Sequence, residues 1–356
     1  MTNLMTVDYG PMPRPTGVMP WKNRSKSMLV SIGLASLLPI AFTLLVAQHY
    51  AMPGATALIA MFVPLQLVAA GAAATFVGGR RGIADAILTV LVIFLVLLVA
   101  IVLGSVLFNL IRKGIRALSL QFLFYDSTYV SSSTSLDYGG VYHAIIGTVI
   151  LVSLAAAVTI PLGIGVGVFL TETRSRMRGP VRFITQSMTG LPSIVSGLFV
   201  YAFFIISGFS EQVGITGAVA LLLLMLPTVA RLSEEVLKLV PQDLRSAAMA
   251  LGAPRNKAFF QVILPAARSG VITAILLGLA RIVGETAPLL MTTVPSDSKN
   301  YNPFSGPMST IPTYIYKWVS AGSDIAVQRA WGAALVLLIL VGIIFTFARI
   351  FGKQKF

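Results

Sequence analysis

Of 356 residues, 56% are apolar and 11% are charged, with a mean hydropathy of +0.88. Soluble domains carry about 25% charged residues, so an ordinary soluble domain, a disordered chain and a disulfide scaffold are excluded together. The 26 Lys and Arg against 12 Asp and Glu give a net charge of +14, which in a lipid-embedded chain first reflects basic cytoplasmic loops rather than nucleic acid. There is no cysteine, the only histidines are His49 and His143, and the acids are scattered, so no disulfide, metal cluster or cofactor is expected.

A membrane span takes about 20 mostly apolar residues. Eight such stretches follow in order: 28–50, 55–78, 83–111, 142–170, 183–207, 213–232, 269–291 and 330–350. The chain is therefore predicted to be an all-α, polytopic membrane protein with a 1–27 tail ahead of the first span. The apolar run Met28–Ala47 outlasts the roughly 7–15 residues of a secretory signal, so it is read as an uncleaved span. Pro53-Gly54 supplies the turn into the second span, and Gly78-Gly79-Arg80-Arg81-Gly82 closes that hairpin. Nineteen Lys and Arg fall in one set of loops and six in the other, which places both termini and the long 233–268 loop in the cytoplasm. Three of the six, Arg112, Lys113 and Arg116, are assigned to an interfacial turn running to Phe124.

The seventh span holds Ala280-Arg281-Ile282-Val283-Gly284-Glu285-Thr286-Ala287-Pro288. On an unbroken helix Glu285 lies one turn from Arg281, within reach of an ion pair that would keep an empty site near neutral. Two readings of the pair stay open, a pin between helices and the lining of an anion path. Intramembrane ionisable groups are functional by default, and a guanidinium fork suits an oxyanion. Pro288 is expected to kink the helix. Arg231, ending the sixth span, is either a snorkelling anchor or part of the inner mouth of the same path. Gly163, Gly165, Gly167, Gly190 and Gly197 are read as close-packing positions. In Gly190-Leu191-Pro192-Ser193-Ile194-Val195-Ser196-Gly197, Ser193 and Ser196 can offer hydroxyls to an anion, as broken transporter helices do.

In the 233–268 loop, Pro241 suits a helix start, 242–251 is helical by composition, and Gly252-Ala253-Pro254 breaks it. A second amphipathic helix is expected over 255–263, before Leu264-Pro265. The result is a helix–turn–helix at the membrane surface, with Ala247 and Ala248 small enough for another protein's groove to close over them.

The pattern Ser246-Ala247-Ala248-x3-Gly252-x9-Val262-x-Leu264-Pro265 resembles the EAA coupling loop of bacterial ABC-importer permeases, with Ser246 in place of the usual Glu and Val262 in place of Ile. The segments GLPSIVSGLFVY (190–201), LPTVARLSEEVLKLVPQDLRSAAMALG (226–252) and ARIVGETAPLL (280–290) resemble the phosphate-specific importer permeases of the PstA type. The resemblance covers about 80–352. It implies a six-span permease core over 83–352, preceded by an extra hairpin at 28–78. It also implies phosphate passage past Arg231, Arg281 and Glu285; Thr286, Ser193 and Ser196 are counted as further candidates on that path. Docking of an ATPase through Ser246, Ala247, Ala248, Gly252, Leu264 and Pro265 follows, the charge that Glu would bring being absent at Ser246.

The implied partners are a separate ATPase dimer, a sister permease and an outer phosphate-binding protein, in a bacterial plasma membrane. The chain has no G-x-x-x-x-G-K-[ST] loop, so ATP is expected to be bound and hydrolysed by the partner, not by this chain. The outer loop 292–329 is expected to meet the binding protein. A permease for sulfate or molybdate is the nearest alternative, because a guanidinium serves any oxyanion. An ion-coupled secondary carrier or a membrane enzyme is a third; no Ser/His/Asp set supports the enzyme, and the single helix–turn–helix favours an ATPase dock over a symmetric carrier.

Overall fold

The computed structural model describes residues 26–50 and 53–352, and every regular element among them is helical. The expected N-terminal tail lies outside the described residues up to residue 25. Seven helical segments are long and apolar enough to cross a membrane, and a bent helix pair makes an eighth. The chain divides into two compact units at Val106 and Leu107.

The first unit begins with α1 (Lys26–Ala35) and α2 (Leu37–His49), then α3 (Gly54–Ala57), which passes through a wide turn into α4 (Val63–Gly114). Straight, the 52 residues of α4 would reach about 78 Å. Yet Ala70 and Ala74 pack with Ala86 and Val90, and a Cβ on Gly82 would lie 3.0 Å from the Ala74 carbonyl oxygen. The chain therefore folds back between the spans Leu58–Thr75 and Gly82–Gly114, where the Gly-rich turn was expected. Ser36, between α1 and α2, donates its hydroxyl to the Ile32 carbonyl and accepts from Gln66 Nε2, each at 2.8 Å.

The second unit opens with α5 (Leu120–Phe124), its start capped by Ser119 Oγ, which accepts from the Phe122 amide. There follow α6 (Tyr142–Glu172), α7 (Arg178–Thr189), α8 (Ser193–Val200, extended by a wide turn to Ile206) and α9 (Gly214–Lys238). Next come α10 (Gln242–Ala250), α11 (Arg255–Ala258), α12 (Leu264–Val283), α13 (Ala287–Thr292), α14 (Ile311–Ser320) and α15 (Asp324–Gly352). The pair α6/α9 makes the most extensive helix contact. Lipid tails are as apolar as leucine, so such pairs are held by close packing rather than by the hydrophobic effect. Gly163 and Gly167 make that packing possible: a Cβ on the first would sit 2.8 Å from Val229 Cγ1, and on the second 2.8 Å from Ser233 Cβ. The close-packing expectation holds there and at Gly197. It fails at Gly165, where a Cβ would meet nothing within 4 Å, and at Gly190, whose nearest neighbour is its own Ser187 carbonyl at 3.7 Å.

Three expected spans take a different form. The fifth, 183–207, is not one helix: α7 and α8 meet at 108° across Gly190-Leu191-Pro192, because Pro192 cannot continue a helix and biases the preceding residue away from helical geometry. The sixth does not end near Arg231 but runs on to Lys238. The seventh starts earlier and stops earlier, as one apolar helical stretch from Arg255 to Val283. Leu264-Pro265 does not separate a surface helix from that span. Proline sits at the start of α12, and the missing N–H is absorbed by a wide π turn at Phe259–Ile263. Beyond Val283 the helix stops at Gly284, and α13 restarts at Ala287 with Pro288 in its first turn. Pro288 therefore starts a new helix instead of kinking an old one.

Candidate functional site

The two breaks come together. A Cβ on Gly197 of α8 would lie 2.6 Å from Pro288 Cα at the start of α13, so the two restarted helices cross backbone to backbone where glycine leaves room. Ser196, buried beside this crossing, donates to the Ala220 carbonyl on α9 at 2.8 Å. That bond satisfies its hydroxyl and pins α8 to α9, so Ser196 is a strut. Ser193, half-buried, makes no side-chain hydrogen bond among the described residues, and its hydroxyl stays open to a ligand.

Arg281 occupies the last turn of α12, where the negative end of the helix dipole favours a cation. Its Nη1 donates to Thr228 Oγ1 on α9 at 2.9 Å. The expected partner is not there: Glu285 falls in the non-helical link Gly284–Thr286, its backbone N–H turned back to the Ile282 carbonyl at 3.2 Å. No ion pair joins it to Arg281 among the described residues. The one-turn spacing holds only on a continuous helix, and Gly284 ends the helix first. A partly buried guanidinium thus rests against a neutral hydroxyl instead of a carboxylate. Its charge is left to be matched by something else, and the planar fork fits an oxyanion. Thr286 sits at the same link as the residue before α13, with no capping bond from its side chain.

Arg231 is exposed, and its Nε donates to Glu235 at 3.0 Å, one turn on along α9. An exposed pair of this kind contributes about 0.3–0.5 kcal/mol. Arg231 stands one turn beyond Thr228 on α9 and makes no contact with Arg281 among the described residues.

The helix–turn–helix forms with the expected boundaries at its first helix. Pro241 precedes α10, and Gly252 turns the chain with φ +79°, a conformation glycine adopts without strain. The Gly252 N–H donates to the Met249 carbonyl and the Ala253 N–H to the Ala248 carbonyl, closing the helix end. Ser246 and Ala247 are exposed, as are Leu239 before α10 and Leu251 at its end. Ala248 is buried against the unit instead, so of the two small alanines only Ala247 faces outward. Leu264 is half-buried and Pro265 exposed, both in the first turn of α12.

Several further polar contacts have no local sequence pattern. That of Thr228 is one; a hydroxyl directly after Pro227 inside an apolar helix was the available signal. Glu234, nearly buried, accepts from Arg182 of α7 at 2.5 Å and from Lys238 at 2.6 Å. Arg245 of α10 pairs with Glu172, the last residue of α6, and donates to the Leu237 carbonyl at 2.8 Å. At the opposite end of the unit, Arg329, counted in the sequence as an outer-loop charge, is fully buried. It donates to the Thr134 and Ser135 carbonyls and lies 5.5 Å from the Trp318 ring centre. Nearby, Lys317 holds Asp297 with both carboxylate oxygens at 2.6 Å, and burial pushes the Tyr314 phenol above its ordinary pKa.

Residues 159–354 match the family described as binding-protein-dependent transport system inner membrane component. The phosphate transport system permease protein PstA of Pasteurella multocida is 35% identical over 252 residues, covering 70% of this chain and 88% of that protein. PstA 1 of Mycobacterium tuberculosis H37Rv is 40% identical over 207 residues, covering 58% of this chain and 67% of that one. An inward-facing structure of the MetNI methionine ABC transporter aligns with 58% of this chain and 91% of its own, at 22% identity and a TM-score of 0.47.

Proposed function

The chain belongs to the binding-protein-dependent transport system inner membrane component family, and on that premise we propose that it is the permease subunit of an ATP-driven phosphate importer. The observation that carries the reading is Arg281: a guanidinium at the end of a helix broken within the apolar core, tethered to the neutral hydroxyl of Thr228. With no carboxylate paired to it, this group is poised to accept an anion crossing between the broken helices. Relatives named as phosphate permeases at 35–40% identity support phosphate over other oxyanions.

In this reading both termini and the 241–265 loop are cytoplasmic in a bacterial plasma membrane. A sister permease supplies the other half of the path, a separate ATPase dimer grips α10, and an outer phosphate-binding protein delivers the ion. Closure of the ATPase around ATP displaces α10. The spans then rock so that the gap beside Arg281 opens first to one side and then to the other. Arg281 recognises phosphate, Ser193 and Thr286 offer hydroxyls beside it, and Glu285 and Arg231 shape the field along the way.

Uptake of radiolabelled phosphate by cells carrying this permease as their only phosphate route, with excess sulfate as competitor, tests the assignment. Uptake indifferent to sulfate is expected. Inhibition by the excess sulfate would move the substrate to the wider oxyanion class, and absence of phosphate uptake would remove it.

A further inference from the structure

Besides the short chain link 239–241 and the packing of Ala248, one polar side chain of α10 reaches the ends of both α6 and α9. Arg245, in the middle of α10, is buried to 14% side-chain exposure, and its partner Glu172, the last residue of α6, to 27%. One arm of the guanidinium, Nη1, pairs with the Glu172 carboxylate. The other, Nη2, donates to the carbonyl of Leu237, one residue before the end of α9, at 2.8 Å. Both partners are groups that a helix C-terminus leaves in need of a cation. The Leu237 carbonyl has no intrahelical donor, and a carboxylate at the end of α6 is disfavoured by the helix dipole unless a positive charge answers it. Arg245 meets both at once, and lysine, with a point charge and no fork, could not span them in the same way.

The two helices so joined are packed closely against each other. Gly163 and Gly167 bring α6 into backbone-level contact with Val229, Ser233 and Glu234 of α9, so displacing one end displaces both. The same α9 carries Thr228, which holds Arg281. Its neighbouring carboxylate, Glu234, is occupied by Arg182 and Lys238 and is not free to replace Glu172 as the partner of Arg245. A line of contacts therefore runs from the surface loop to the anion site, Arg245 to the α6/α9 pair to Thr228 to Arg281, with one charged joint at its start.

We propose that Arg245, with Glu172, is the positioning residue that transmits displacement of α10 to the α6/α9 pair, so that its loss separates ATP hydrolysis from transport. The proposal rests on the permease reading above. It assigns the force-bearing contact to the inward face of α10, whereas the outward face, with Ser246 and Ala247, is left to grip the ATPase.

The test uses the complete importer in proteoliposomes, with this chain, its sister permease, the ATPase and the binding protein, reading phosphate imported per ATP hydrolysed. Wild-type assemblies must import phosphate in response to binding protein; if they do not, the permease reading fails and the joint goes with it. Given a working wild type, Arg245→Ala and Glu172→Gln are each expected to lower the ratio about tenfold, within the usual range of coupling between sites. A wild-type ratio in both variants overturns the proposal.

Because the native chain has no cysteine, an Arg245→Cys, Glu172→Cys double variant can be compared with itself before and after bridging by a short bifunctional thiol reagent. Bridging is expected to restore the ratio several-fold in the same assembled molecules, a response that mere damage to folding would not give. A ratio unchanged by bridging, whether high or low, overturns the transmission role.

Discussion

Arg281 and Arg245 lie in the same compact unit and both touch α9, yet they are held in opposite ways. Arg245 is matched on one side by the Glu172 carboxylate and on the other by a helix-end carbonyl. Arg281 is given a neutral hydroxyl and no ion pair among the described residues. The difference separates two jobs that a guanidinium can do away from water. Saturated by opposite charge, it fastens helices together, because breaking a partly buried pair leaves an uncompensated ion. Left short of a counter-ion, it has the construction our proposal requires of a receptor, because its most favourable partner is one that arrives from outside.

The largest effect expected from this contrast is at Arg281. Arg281→Gln keeps a donor for Thr228 but removes the charge, and phosphate uptake should fall about 100-fold, the loss of a charged contact of about 2.7 kcal/mol, with the complex still assembling. Uptake within twofold of wild type would mean that the anion passes elsewhere. Next comes Gly252. A Cβ there meets nothing within 4 Å, so the only obstacle is the +79° φ, which costs a β-branched residue roughly 1–2 kcal/mol. Gly252→Val should relieve that strain by re-aiming α10, raising ATP consumed per phosphate about tenfold while the empty importer still binds its ATPase. An unchanged ratio would show that the angle between the two surface helices is not what the ATPase acts on.

How much of this was readable in advance varies with the kind of physics involved. Apolar runs such as 142–170 and 330–350 became single helices, α6 and α15, because in lipid a backbone that does not pair internally is prohibitively costly. Punctuation was equally plain where it stood in polar surroundings: Pro241 and Gly252 bracket α10 to within a residue or two. The breaks at Leu191-Pro192 and Gly284 were hidden by the apolar composition on either side, since hydropathy reports the solvent a segment prefers and not the direction it runs. Pro192 does mark a segment like those of broken transporter helices, but Gly190 reads as packing and Pro288 as a kink, so the 108° turn and the stop at Gly284 are not legible from them.

The Arg281–Glu285 pair failed for the same reason, a spacing argument applied across a helix end. Arg329 shows the limit of charge counting, as it was tallied with loop charges but is buried against Trp318 and two carbonyls. Arg245 and Glu172 lie 73 residues apart, so no local pattern could have joined them.

A finer test addresses the tether. Thr228→Val preserves shape and removes the hydroxyl that orients Arg281. Loss of one hydrogen bond to a charged group, about 1–1.5 kcal/mol when its partner can turn to water or ligand, should raise the half-saturating phosphate concentration about five- to tenfold with maximal uptake little changed. A fall in maximal uptake alone would assign Thr228 to the moving framework and not to the ligand.

The smallest expected number is the interaction between Arg281 and Glu285, and it separates the two ways of holding a guanidinium most cleanly. If the carboxylate neutralised Arg281, removing either partner would strand the other. Glu285→Gln would then be costly alone and nearly free once Arg281 was already Gln. With Glu285 in the link beyond Gly284 and its N–H turned to Ile282, the two should act independently. A double-mutant cycle on uptake should therefore return an interaction energy below about 0.5 kcal/mol, the scatter of sites that share no contact. An interaction energy above about 1.5 kcal/mol would mean that the pair forms in some stage of the cycle. Arg281 would then meet its anion only after being released from Glu285, and its contrast with Arg245 would be one of timing and not of construction.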